Sequence, residues 1–411
     1  MATADEPVGR WSVLALVAVG LLLAMGPWFT ASAVAPQIRA DWSLSATDVP
    51  LLTIAVQLGF AAAAILLATT GAPDVVSPQA AFLTGAVLAA FANLGFAFLS
   101  HDLPSALVFR FLTGAGLAAV YPVALTLIVG WFRRERGFAV GVLVGALTVG
   151  SAVPYLLRAL GAMSGLDWHL VVALASPIGI VGGVMVAALT RRGPLAVRAP
   201  RFSLSVAASA LRSPAVRLAS LGYLGHMWEL YAMWTWIPLF IAASFAAAGI
   251  LDPATAAASA FIVVAAGGVG CVVAGLVADR IGRTWTTSAA MALSGASAVV
   301  CGLVFGASPL IVLTVCVVWG VTIVADSAQF STAVTELAPS GTAGSAISLQ
   351  LAAGFVLTGV TILAVGALDP TDESGWRAAF WLLALGPAVG IVAMLRLRRR
   401  PEAVAMAGGH R

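Results

Sequence analysis

The chain has 411 residues, of which 61% are hydrophobic and 9% charged, with a formal net charge of +4. Soluble globular chains carry about 25% charged residues, so the composition excludes a water-soluble enzyme, a nucleic-acid-binding domain and a disordered chain. At ~20 residues per crossing, the length holds about twelve membrane-spanning helices with short loops.

In chain order, the apolar run after Arg10 is predicted as the first span, over 11–34. No small-residue cleavage site with polar sequence behind it is present, so the run reads as a helix rather than a removable signal. Spans follow over 49–70, 79–99, 105–130, 138–160 and 169–190. The longest polar stretch, 191–213, separates them from a second set over 215–245, 256–278, 286–306, 309–336, 344–367 and 377–396. Eleven or thirteen spans are also compatible with the pattern. The expected organisation is therefore a six-helix half over 1–190, a cytoplasmic linker over 191–213 and a second six-helix half over 214–411. Cys271, Cys301 and Cys316 all fall in apolar runs and read as packing residues.

All 21 basic residues are arginines. With the amino terminus in the cytoplasm, 17 of them fall on the cytoplasmic side, among them Arg10, Arg133, Arg134, Arg198, Arg201, Arg280, Arg283, Arg396 and Arg411. Arg39, Arg158 and Arg377 fall outside, and Arg110 lies within the fourth helix. This asymmetry places both termini in the cytoplasm. Trp11, Trp131 and Trp285 mark the inner interface, and Trp42, Trp168 and Trp376 the outer one.

Several motifs carry a resemblance. Gly275-Leu276-Val277-Ala278-Asp279-Arg280-Ile281-Gly282-Arg283, between helices eight and nine, is similar to the G-x-x-x-D-R-x-G-R signature of the major facilitator superfamily. On helix four, Arg110-Phe111-Leu112-Thr113-Gly114-Ala115-Gly116-Leu117-Ala118 resembles that family's R-x-x-Q-G-x-G-x-A. Trp131 to Gly137 resembles its loop between helices four and five. The first-half counterpart loop, Gly71 to Ser77, keeps Asp74 but lacks the basic residues. Gly141, Gly150 and Pro154 fall near the spacing of the drug-antiporter motif on helix five, without its ending. The resemblance covers essentially the full chain. It implies an all-α fold of twelve helices in two six-helix halves, in which helices one, four, seven and ten line a central cavity.

Apart from helix ends, the charges inside the spans are Arg110, Glu229 and Asp326, on helices four, seven and ten. A lipid-facing charge costs at least ~2.5 kcal/mol, so the three are expected to converge on one water-accessible chamber. Counted from Leu218, Glu229 lies ~16 Å into the membrane at 1.5 Å per residue, the centre of a ~30 Å core.

Glu229, aided by His226, is the expected proton carrier, because burial favours the neutral form of a carboxyl; a fixed partner of Arg110 or His226 is its bland alternative. Asp326 is a candidate for proton or substrate binding or for a structural hydrogen bond. Arg110 could clamp an anion or organise helix four through neighbouring carbonyls. Trp28, Tyr121, Tyr223, Trp228, Tyr231, Trp234, Trp319 and Gln329 complete the cavity candidates. Gly275, Asp279, Arg280, Gly282, Arg283 and Glu336 are expected to form a cytoplasmic gate, with Arg280 or Arg283 reaching Glu336. Gly137, Gly141 and Gly145 on helix five, and Gly267, Cys271 and Gly275 on helix eight, form small stripes that permit close approach.

The expected function is secondary, proton-coupled transport of a small organic solute by a monomer in the cytoplasmic (inner) membrane. Transport of an organic anion through Arg110 is the alternative, and a channel or non-transporting receptor the different-class one. No catalytic constellation, cofactor, metal or nucleic-acid partner is expected.

Overall fold

The computed structural model describes residues 7–45, 47–70, 76–133, 135–196 and 202–410. Twelve helices among them are long and apolar enough to cross a membrane: α1 Arg10–Ala33, α2 Asp48–Thr70, α3 Pro78–Leu99, α4 Leu103–Val129, α5 Arg136–Met163, α6 Trp168–Leu189, α7 Pro214–Ala247, α8 Pro253–Ile281, α9 Arg283–Leu303, α10 Pro309–Leu337, α11 Ala343–Ala367 and α12 Glu373–Arg398. The shortest has 21 residues and the longest 34, enough at 1.5 Å per residue for a ~30 Å hydrocarbon core. No strand occurs among the described residues. A helix satisfies its own backbone polar groups, which lipid cannot. Large apolar side chains such as Phe91 (62% exposed) and Leu310 (75%) point outward, as a lipid solvent allows.

The helix starts are written locally. Asp102, Asp252 and Asp372 accept hydrogen bonds from first-turn amides of α4, α8 and α12, and Ser77 and Ser213 do the same for α3 and α7. These side chains satisfy amides that the helix itself leaves open. The predicted start of the ninth span at 286 is corrected to Arg283. Gly282 adopts φ +96°, a conformation open to glycine, and breaks the chain there.

Three helices are interrupted. α1 passes through a 3-10 turn at Gly26–Phe29. α4 breaks between Leu117 and Tyr121, and α10 between Ile323 and Ser327. The two breaks are equivalent in position (117 and 121 against 323 and 327, an offset of 206). Pro27 and Pro122 lack the amide that would continue the ladder; the break in α10 has no proline.

The most extensive helix–helix contact joins α5 to α8. A Cβ on Gly141 would stand 2.9 Å from the Cys271 carbonyl oxygen, and one on Gly145 would stand 3.0 Å from that of Gly268. The expected small-residue stripes thus face each other across the first and last six helices. α2 packs against α11, where Thr358 Oγ1 donates to Gln57 Oε1 at 2.6 Å.

Arg10 pairs with Glu135 at 2.9 Å, Arg191 lies over Trp131, and Arg398 lies over Trp285. The start of α1, the α4–α5 and α8–α9 loops and the end of α12 therefore share one arginine-rich face. On the far face Trp42 meets Trp168 edge-on at 5.8 Å. Arg134, Arg198, Arg201, Arg411 and the loop positions 71–75 lie outside the described residues.

Candidate functional site

Two polar clusters sit within the helices. The first surrounds Arg110 of α4, which is fully buried. Its Nη1 donates to the Pro27 carbonyl at 2.9 Å and Thr30 Oγ1 at 3.0 Å, Nη2 donates to the Trp28 carbonyl, and Nε donates to the Leu52 carbonyl at 3.4 Å. The turn at Gly26–Phe29 presents these α1 carbonyls inward. Thr30 Oγ1 donates to Asn93 Oδ1 at 2.8 Å, and Asn93 Nδ2 donates to the Val172 carbonyl at 2.8 Å and Ser176 Oγ at 3.1 Å. The cluster ties α1, α2, α3, α4 and α6 together through neutral acceptors.

The second cluster joins α7, α9 and α10. Glu229 is 1% exposed. It accepts from Trp319 Nε1 at 2.6 Å and from Ser294 Oγ at 2.9 Å. His226 Nε2 lies 2.7 Å from Ser327 Oγ, and its Nδ1 lies 2.8 Å from Asp326 Oδ1 without the angle of a hydrogen bond. Asp326 stands in the break of α10. The expectation that Arg110, Glu229 and Asp326 share one chamber is corrected. Arg110 is enclosed by partners from α1, α2 and α3, whereas Glu229 and Asp326 are enclosed by partners from α7, α9 and α10.

Between the clusters an aromatic box spans both sets of helices. Trp28 stacks on Tyr231 at 5.7 Å, Phe29 meets Trp234 edge-on at 5.6 Å, and Phe60 lies 4.7 Å from Phe355. Tyr155 of α5 donates to the Trp234 carbonyl at 2.8 Å. The indole N–H groups of Trp28 and Trp234 and the amide nitrogen of Gln57 are buried and have no hydrogen-bond partner among the described residues. Tyr223 lies toward the second cluster, with ring centroids 6.2 Å from His226 and 6.1 Å from Phe330. Above the box, on the far face, run adjoining grooves of about 280 Å³ each, lined by residues including Ser32, Pro36, Tyr155, Trp236 and Leu239.

The box thus gathers Trp28, Tyr231 and Trp234 of the expected cavity residues. Four others lie elsewhere. Trp228 turns to α12, where Gly386 leaves room beside it, and donates to the Leu382 carbonyl at 2.9 Å. Trp319 serves Glu229 and packs edge-on against Phe380. Gln329 accepts from Arg283 at 2.7 Å. Arg110 is enclosed as described.

At the arginine-rich face, Arg283 grips Glu336 with Nε and Nη2, both at 2.7 Å. Asp279 stands 3.7 Å from Arg283, and its carboxylate lies against Gly137 at the start of α5, where a negative charge suits the helix end. Arg280 is exposed and makes no ion pair among the described residues, so of the two expected arginines Arg283 is the one that reaches Glu336. Gly275 packs against Gly137. The segment Pro401–Gly409 folds back over this end, with Ala403 and Met406 buried, and the Ala407 amide donates to Glu336 at 3.3 Å. Cys301 and Cys316 place their sulfurs 3.7 Å apart, unbonded. No group of three potential metal ligands occurs among the described residues.

Residues 17–362 match the family model described as Major Facilitator Superfamily. The chain belongs to that family, a family of transporters. The fold agrees with solved structures. A bacterial homolog of the human lysosomal transporter Spinster, inward-facing and unoccupied, matches with TM-score 0.72 at 16% identity, over 97% of this chain and 100% of that one. The xylose transporter XylE from E. coli, in a partially occluded inward-open conformation, matches with TM-score 0.74 at 13% identity, over 95% and 99%. A D-xylose–proton symporter matches with TM-score 0.75 at 14% identity, over 96% and 99%. No curated protein sequence matches.

Proposed function

We propose that this superfamily member is a secondary active transporter that couples movement of a small organic solute to a proton, with Glu229 as the proton carrier. The observation that carries this reading is the setting of Glu229. It is a sealed carboxyl at mid-span whose hydrogen-bond donors, Trp319 and Ser294, are neutral. An ionised carboxylate without a counter-charge is costly in such surroundings, so uptake of a proton relieves the site. His226, one turn earlier on α7, stands beside Asp326 in the break of α10 and completes the polar cluster. A solved neighbour of the same fold being a sugar–proton symporter fits this reading.

The two six-helix halves, 1–190 and 214–411 with the linker 191–213 between them, rock along the α5–α8 seam. The arginine-rich face is cytoplasmic by its charge. Arg283, Glu336 and Asp279 then latch the inner end, and the grooves on the far face open outward above the aromatic box. The box, with its free indole N–H groups, is the solute site; stacked rings and a few donors suit a planar or hydroxylated solute. An anion clamp at Arg110 gains no support, since backbone carbonyls and a threonine occupy the guanidinium.

The test is proton-driven uptake of candidate solutes into proteoliposomes containing Glu229→Gln. The variant should keep the fold and solute exchange between equal pH compartments but lose accumulation driven by a pH gradient. Full gradient-driven accumulation by the variant rejects the proton role. Absence of any solute flux in the wild type across a broad panel favours a receptor.

A further inference from the structure

We propose that the cleft between the start of α7 and the end of α12 binds the headgroup of an anionic phospholipid, with an acyl chain laid along α7. The cleft measures about 850 Å³ and is lined by Arg217, Arg396, Arg399 and Arg400, with no acidic residue in its wall.

Elsewhere on the same face three arginines have local partners, Arg10 with Glu135, Arg283 with Glu336 and Arg191 on Trp131, while Arg280 stands exposed at the end of α8, outside the wall of the cleft. In the cleft, Arg396, Arg399 and Arg400 are without an ion pair among the described residues, and Arg217 donates only to the Leu211 carbonyl at 3.3 Å. Four like charges around one opening repel each other unless an anion joins them. A phosphate offers the oxygens that guanidinium groups bind in pairs.

The apolar wall identifies the anion as a lipid. Leu218 and Leu221 line the cleft with Leu224, and their three-residue spacing makes a stripe down one side of α7 from the arginines toward mid-membrane. Leu221 is 41% exposed. A soluble anion would have no use for this stripe, whereas an acyl chain covers it. Basic pockets at the membrane surface between helices are the physical form of such sites. The inference is independent of the transport reading and of the solute.

Native mass spectrometry of the full chain in detergent, titrated with phosphatidylglycerol or phosphatidylcholine, tests it. The wild type should retain phosphatidylglycerol roughly tenfold more tightly than phosphatidylcholine, and the triple variant Arg396→Gln/Arg399→Gln/Arg400→Gln should lose that preference. Loss of arginines could alter insertion, so a second arm uses the unmodified protein and a photoactivatable phosphatidylglycerol. Crosslinks should map to residues 214–224 and 396–401. Equal retention of the two lipids, or crosslinks confined to other helices, overturns the proposal. So does displacement of phosphatidylglycerol by glycerol 3-phosphate at matching concentrations, which would assign the cleft to a soluble anion.

Discussion

The two polar clusters occupy corresponding places in the first and last six helices, yet they are built on opposite principles. The Arg110 cluster holds a permanent cation in a cage of carbonyls freed by the turn in α1. Every partner is neutral and belongs to the backbone or a short side chain, so the cage serves one charge state of one residue. The Glu229 cluster holds a carboxyl between two neutral donors, beside a histidine and an aspartate. Its members include three ionisable side chains, and α10, one of its helices, is broken at Asp326. The difference teaches that burial of a charge does not by itself mark a working site. What matters is whether the surroundings tolerate a second protonation state.

The sharpest way to break this comparison is Arg110→Ala. It removes the hydrogen bonds of a charged donor to Pro27, Trp28, Thr30 and Leu52, each worth ~1.5–3 kcal/mol and partly offset by relief of the buried charge, so a loss of about 3–5 kcal/mol is expected on unfolding in detergent. Arg110→Lys should rescue little, because a point charge cannot span the cage. A mild effect of both substitutions would refute the structural role. Glu229→Gln should behave in the opposite way: stability within about 1 kcal/mol of wild type, since the amide oxygen still accepts from Trp319, and gradient-driven uptake lost. At the seam, Gly141→Leu forces a side chain against the Cys271 carbonyl and should cost ~1–3 kcal/mol by overpacking, read as a lowered melting temperature together with slowed transport.

Arg283→Gln should be gentler, about 1–2 kcal/mol, because Glu336 is only partly buried and reaches water. Labelling of a cysteine introduced at the arginine-rich face should speed up in that variant; unchanged labelling would count against a latch. The smallest effect concerns the far-face caps. Hydrogen bonds from Thr255 and then Ala254 hold Asp252 below the usual carboxylate range, and those from Gly375 and Ser374 do so for Asp372. Groups lowered in the folded state stabilise it above their unfolded value near 3.9 and lose that contribution as pH falls through the folded value. Asp252→Ala should therefore lower the neutral plateau slightly, through loss of the cap, and flatten the acid limb of the stability profile.

Much of this was legible in the chain. Hydropathy and arginine placement located twelve spans to within a few residues, because lipid permits little but apolar helix at mid-membrane. The Asp279–Arg283 motif, Glu336 and the glycine stripes were legible as spacing, and the structure brings them together. The grouping of the charges was not. Glu229 and Tyr231 are two residues apart, which turns them about 200° from each other on a helix, so they cannot face the same chamber; tallying charges by helix hid that. Asn93, Ser294 and Gln57 escaped notice because neutral polar residues are common in membrane helices, and their meaning comes from partners 63 to 301 positions away. Trp228 was misplaced because its direction depends on a glycine in α12, which no local pattern reveals.

The return of Pro401–Gly409 over the arginine-rich end has a practical sequel. Glu336 receives both Arg283 and the amide of Ala407, so whatever is fused close behind residue 410 hangs from the Arg283–Glu336 pair, the proposed latch. A reporter or purification handle placed there would tug on the equilibrium it is meant to observe, and one placed ahead of Arg10 is the safer choice for assays of conformational exchange.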